Sequence, residues 1–192
     1  MQIRFVNAPT LVLIDIQKEY TTPGRPFFLQ EIGPSLKNCR LLLSAARRAG
    51  ARVIHVRHVQ DGPVFKRGAA ESDFVEGFSP LNNEIHLLKS KLSCYANERF
   101  APLIDEAKPG SVYVAGYGST MCCMATVAAA PLFGHKLNFI HDASWARSSS
   151  GLSEEELHRN ATAILGIHGA LATTKETIAR FEEAQSPVLA AE

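Results

Sequence analysis

Residues 112–126, VYVAGYGSTMCCMAT, constrain this chain more than any other stretch. Val112–Ala115 is a short continuous apolar run, the pattern of a strand buried on both faces of a parallel sheet. Gly116–Thr120 turns the chain, and Met121–Ala130 continues in residues that favour a helix. A strand that enters a helix through glycines leaves Cys122 in the first helical turn. Unpaired N–H groups and the helix dipole there favour the thiolate, below the free pKa of about 8.5. Cys122 and Cys123 would otherwise be small core residues, so the remaining segments decide between the two.

The same grammar recurs along the chain. Leu11–Asp15 is an apolar run that ends in a carboxylate, and reads as a central strand. A helix is predicted over Ile32–Ala49, with Gly50 as its stop, followed by a strand over Arg52–Arg57. From His58 to Asn83 the pattern dissolves into Gly, Pro and charge, a loop long enough to expect a functional part for it. Glu84–Leu88 is a short third strand with Lys89 at its end, and Asn97–Ala107 a helix. The opening stretch supplies a fourth strand and a helix that stops at Gly134, and Lys136–Ile140 a fifth strand. Ser153 caps a helix running to about Ile167, Ala170–Thr173 is a short sixth strand, Thr174–Phe181 a last helix, and the tail after Gln185 is expected to be loose. Strand and helix alternate throughout. The expected fold is one domain over residues 1–192, a three-layer α/β/α sandwich on a mostly parallel, Rossmann-like sheet of about six strands.

Bulk properties exclude several classes. A net charge of +1 gives no electrostatic footprint for nucleic acid or an anionic membrane. The N-terminus lacks a signal-peptide apolar core, and no apolar run is long enough to span a bilayer. Cysteines at 39, 94, 122 and 123 show no C-x-x-C spacing, which suits reduced thiols and a cytoplasmic protein.

Parallel sheets bind ligands at the C-terminal ends of their strands. Three reactive groups fall there: Asp15, Lys89 and Cys122. A carboxylate can take a proton from a thiol, and an ammonium steadies both anions. Backbone N–H groups of the Gly118–Cys122 turn could hold a developing oxyanion, worth about 3 kcal/mol per donor.

These residues carry a resemblance. Leu11–Tyr20 (LVLIDIQKEY), Lys89–Asn97 (KSKLSCYAN) and Gly116–Thr126 (GYGSTMCCMAT) resemble, in order and in strand context, the three motifs of the isochorismatase-like superfamily of cysteine hydrolases. That superfamily includes nicotinamidases, N-carbamoylsarcosine amidases and ureidoacrylate or biuret amidohydrolases. The resemblance implies a catalytic triad of Asp15, Lys89 and Cys122, with an oxyanion site at the backbone of Gly118 and Cys122. It implies hydrolysis of an amide, carbamoyl or ureide bond through a thioester on Cys122. It also implies a non-proline cis bond between Tyr117 and Gly118, a small-molecule substrate, no cofactor, and a homodimer or homotetramer. Gln17, Tyr20, Tyr95, Tyr117 and Trp145 flank the motifs or follow the next strand end, and are expected substrate-binding residues. Ser119 replaces the usual Thr, Cys94-Tyr95 replaces Ala-Phe, Glu98 replaces a frequent Thr, and Gly118 at the bend is unusual.

Nicotinamidases add a metal site around the second strand. Here His55 and His58 are three apart on a strand, hence on opposite faces, and no metal site is expected. His158 and His168 are expected in packing or surface positions. A vinyl ether hydrolase of the isochorismatase type stays open, although in branches resembling that function the cysteine position is typically not cysteine. A non-catalytic flavodoxin-like binding or scaffold protein also stays open, but Met121 leaves the Gly-x-Gly-x-x-Gly fingerprint incomplete.

Overall fold

A computed structural model describes residues 9–185; the expected loose tail lies outside them. Six strands form one sheet: β1 (Thr10–Ile14), β2 (Arg52–His58), β3 (Ile85–Lys89), β4 (Val112–Tyr117), β5 (Asn138–Trp145) and β6 (Ala170–Ala172). All pairings are parallel, in the order β3-β2-β1-β4-β5-β6. The chain starts at the centre, steps outward to β3, returns to lay β4 against β1, and steps outward the other way. The reversal between β1 and β4 opens a crevice at their C-terminal ends.

Apolar runs form these strands because both faces are covered. Leu11 and Leu13 of β1 pack under α1 (Gly33–Arg48) and α5 (Thr174–Gln185), beside Leu42, Ala46 and Phe181. Val12 and Ile14 point the other way. They meet α2 (Phe100–Asp105), α3 (Cys122–Ala129) and α4 (Glu154–His168) through Phe100, Val127 and Leu165. The expected three-layer architecture is therefore the observed one.

Several boundaries differ from expectation, each for a local reason. β2 runs one residue further, because His58 pairs with Lys89 at the strand ends. The helix predicted from Asn97 begins at Phe100, since Asn97 is extended and its side-chain amide holds Leu88 O. β5 continues past Ile140 to Trp145, with a register shift against β4 between Val114 and Gly116. The Ser153 cap is as expected, and completes a capping box with Glu156.

The segment from 59 to 83 is not a wandering loop. It forms a short 3-10 turn at Ala70–Ser72, pairs Phe74 with Gln17, and buries Phe65, Val75 and Phe78 against the α1 side of the sheet. Among the described residues no helix is long and apolar enough to cross a membrane.

Candidate active site

Asp15 leaves β1 in the left-handed backbone region, φ 53°. Aspartate tolerates that conformation better than most residues, and such backbone strain concentrates at functional sites. The geometry is fixed on both sides, with Asp15 N–H donating to Val56 O and Asp15 O accepting from Gln17 N–H.

Lys89 ends β3, two strands away from β1. Its side chain crosses the end of β2 and delivers Nζ to three acceptors at once: Asp15 Oδ2 at 2.7 Å, His58 Nδ1 at 3.2 Å and Cys122 Sγ at 3.2 Å. All three ammonium protons thereby have a direction. Asp15 Oδ1 is buried and has no hydrogen-bond partner. Asp15 therefore gives one oxygen to Lys89 and leaves the other without a hydrogen-bond partner.

Burial alone would lower the Lys89 pKa, but the charges of Asp15 and Cys122 outweigh it and hold the ammonium above its usual range. Burial pushes the Cys122 thiol up, Asp15 pushes it further, and Lys89 only partly offsets them. This runs against the sequence expectation of a thiol lowered by the helix start: desolvation and the facing carboxylate push it the other way. Burial, then Lys89, lowers His58. Its ring is neutral, with Nδ1 accepting from Lys89 and Nε2 donating to Gln60 Oε1 at 3.3 Å.

Asp15, His58 and Cys122 place donor atoms within 4.8 Å of one another, a spacing that could suit a metal ion. Lys89 Nζ is within hydrogen-bond distance of each, so these donors already share a fixed positive charge. His55 turns to the opposite face, where Nε2 meets Glu84 at 2.9 Å.

The glycine turn sets the other wall. A Cβ at Gly116 would overlap Ile14 O of the neighbouring strand, so only glycine lets β4 lie against β1 there. Gly118 has φ 77°, and a Cβ on it would lie 3.2 Å from Cys122 N and 3.5 Å from Tyr20 Oη. Gly118 O accepts from the N–H of both Met121 and Cys123, closing the turn into α3. The described residues contain no cis peptide bond. The expected Tyr117–Gly118 cis bond is corrected accordingly, because a glycine at positive φ turns the chain through a trans bond. Ser119 Oγ is 3.0 Å from His158 Nδ1, and Ser119 N–H donates to Trp145 O, tying the turn to α4 and β5. Thr126 Oγ1 donates to Cys122 O and accepts from Cys94 N–H, joining α3 to the segment after β3.

A cavity of about 240 Å³ opens over Asp15, His58 and Cys122, walled by Tyr20, Phe27, Phe65 and Met121. Among the expected substrate-binding residues, Tyr20 lines it and four do not. Gln17 lies fully buried behind it, its side chain bridging His58 N and O to Ser72 O. Tyr95 stacks on Phe133 at 4.2 Å and hydrogen-bonds His135, turned away from the thiol. Tyr117 is packed inside the core against Tyr20 and Ser35. Trp145 packs on His158, donates to Glu154, and lines a separate cleft beside α1. Sequence reasoning missed His58, which obeys the strand-end rule that found Lys89. It also missed Phe27 and Phe65, which stand in irregular segments without periodicity.

The chain matches the isochorismatase domain over residues 9–177. It is 28% identical over 164 residues to maleamate amidohydrolase of Pseudomonas putida, covering 77% of each chain. It is 29% identical over 139 residues to a streptothricin hydrolase of Streptomyces noursei, covering 69% of this chain and 48% of that one. The crystal structure of an isochorismatase from Pseudomonas putida superposes with a TM-score of 0.78 at 26% identity, covering 86% of this chain and 88% of the other. A domain match over almost all of the described fold, with a buried carboxylate, ammonium and thiol converging at the sheet's switch point, means that this chain belongs to the isochorismatase family of hydrolases.

Proposed function

We propose that this hydrolase cleaves the C–N bond of a small amide, carbamoyl or ureide substrate, with Cys122 as nucleophile, Asp15 as base and Lys89 holding both. The observation that carries this reading is the unpartnered Asp15 Oδ1 in a site where Lys89 already binds Oδ2 and Sγ. In the proposed cycle Asp15 takes the Cys122 proton as sulfur attacks the carbonyl carbon. The backbone N–H groups of Gly118 and Cys122 hold the oxyanion. The tetrahedral adduct collapses, the C–N bond breaks, and Asp15 returns the proton to the departing amine. Water, deprotonated by Asp15, then cleaves the thioester, and the proton passes back to sulfur.

A protonated resting thiol suits this order, because the proton moves only when a carbonyl carbon is in place. The cavity of about 240 Å³ suits a small substrate. Maleamate amidohydrolase among the relatives supports C–N hydrolysis, and makes maleamate the first compound to try. Addition of water to a vinyl ether requires no nucleophilic thiol, and nothing in the site favours it. We further place the protein in a reducing compartment such as the cytoplasm, where four free cysteines persist, as a homodimer or homotetramer.

The test is ammonia release from maleamate and from a panel of small amides, carbamoyl amino acids and ureides, with Cys122→Ala as control. Hydrolysis that depends on Cys122 supports the reading. Hydrolysis by Cys122→Ala at the wild-type rate removes it.

A further inference from the structure

Tyr20 closes the 3-10 turn Lys18–Tyr20 that follows Asp15. Its ring is set into an aromatic wall, 6.0 Å from Phe27, 5.3 Å from Phe65 and 5.4 Å from Tyr117 between ring centroids. The residue is 2% exposed. A phenylalanine would pack in this wall equally well, so packing does not explain the hydroxyl. Nor does the protein: Tyr20 Oη makes no hydrogen bond to any described residue, yet it is not sealed away from the cavity that it lines. The hydroxyl is therefore free to donate to an acceptor that enters the cavity.

The position of this hydroxyl is specific. The place that a Cβ would take on Gly118 lies 3.5 Å from Tyr20 Oη and 3.2 Å from Cys122 N. Because residue 118 is glycine, no side chain fills the space between Cys122 N and the phenol, and Tyr20 and Cys122 line the same cavity.

We propose that the Tyr20 hydroxyl donates a hydrogen bond to the carbonyl oxygen of the substrate beside the Gly118–Cys122 turn, as a side-chain donor that favours carbonyl compounds over apolar ones of the same size. The inference rests on the thiol reading above and adds to it a residue that touches the reacting group. Tyr20 keeps its proton throughout. Burial, followed by the nearby Cys122 and Asp15, holds the phenol well above its usual pKa, so it acts as donor and not as acid.

The experiment uses two alkylating agents of similar size on the whole protein. Iodoacetamide carries an amide carbonyl; allyl iodide carries no acceptor. Alkylation of Cys122 is followed by peptide mass spectrometry in wild type and in Tyr20→Phe, with circular dichroism as the check on folding. Loss of one neutral hydrogen bond, about 1 kcal/mol, predicts that Tyr20→Phe slows iodoacetamide about fivefold, and leaves allyl iodide within about twofold. Equal slowing of both reagents, or no slowing of iodoacetamide, overturns the role of Tyr20 while leaving the thiol reading intact. If wild-type Cys122 does not label ahead of the other three cysteines, the thiol reading falls and this inference with it.

Discussion

Lys89 Nζ lies 2.7 Å from Asp15 Oδ2, and neither side chain is reached by solvent. The pair spans β3 to β1 across the end of β2, so it is a fold contact as well as part of the candidate site. Two charges taken out of water depend on each other. Removing one leaves the other buried and uncompensated, which typically costs about 3–5 kcal/mol.

Lys89→Met is therefore expected to destabilise the protein by about that amount, and Asp15→Asn/Lys89→Met by less than the sum of the single changes. Urea unfolding of the four proteins gives the coupling. Strict additivity would mean that the two charges do not depend on each other in the folded state.

Cys122 should behave as a buried thiol with a raised pKa that is nonetheless the first of the four cysteines to react. Cys39, Cys94 and Cys123 are fully buried, whereas Cys122 is 4% exposed and lines the cavity. Burial comes first among the causes that raise it. Its alkylation rate should keep rising as pH increases through 9, with no plateau near neutrality. A plateau below pH 7 would show a resting thiolate, contrary to the surroundings found here.

Two glycines of the turn should separate stability from activity. Gly116→Ala drives a Cβ into Ile14 O and should prevent stable folding, because two paired central strands cannot part to admit it. At Gly118 the nearest atoms are Cys122 N at 3.2 Å, Met121 Cβ at 3.5 Å and Tyr20 Oη at 3.5 Å, and φ is 77°. Gly118→Ala should fold, at a cost of about 1–2 kcal/mol for the left-handed backbone, and should lose far more in turnover because the added methyl fills the space proposed for the substrate oxygen. Melting temperature and Cys122-dependent ammonia release, measured together, distinguish the two sites. A fully active Gly118→Ala would move the oxyanion site elsewhere.

What the sequence shows of this site follows from what a sequence can encode locally. Asp15, Lys89 and Cys122 are legible because the first two close apolar runs and Cys122 follows one through a glycine turn, and parallel sheets bring strand ends together. His58 obeys the same rule, but β2 is one residue longer than its apolar pattern, and the predicted strand stops at Arg57. Tyr95 lies within a motif and Trp145 follows the next predicted strand end, yet the 3-10 turn at Cys94–Ala96 and the last residue of β5 aim them elsewhere. Side-chain direction at such termini depends on tertiary packing. The Cys122 pKa is misread from sequence for a related reason. The helix start is local and visible, whereas desolvation and the Asp15 charge come from residues far away in the chain. Phe27 and Phe65 reach the cavity from irregular segments where no periodicity marks a face.

Away from the site, Glu84 supports a pH prediction of definite sign. Its carboxylate accepts from Arg47 Nε and Nη2, from Leu81 N–H and from His55 Nε2. Burial alone would raise its pKa, but these partners overcome it and bring the pKa down to about 2 from 4.5. A carboxyl whose folded pKa is depressed contributes its full stabilisation above the unfolded value and loses it as pH falls through the folded one. Here the window runs from about 4.5 down to about 2. A shift of this size corresponds to about 3 kcal/mol at most, and solvent at the partly exposed Arg47 reduces it. Wild type should therefore exceed Glu84→Gln in stability by about 2 kcal/mol at pH 7, and the gap should close as pH is lowered from 5 towards 2. His55 is itself lowered from its usual value, chiefly by burial, and Glu84 partly offsets that. A gap that stays constant down to pH 2 in chemical denaturation would mean that the ionised carboxylate is not what Arg47 and His55 hold.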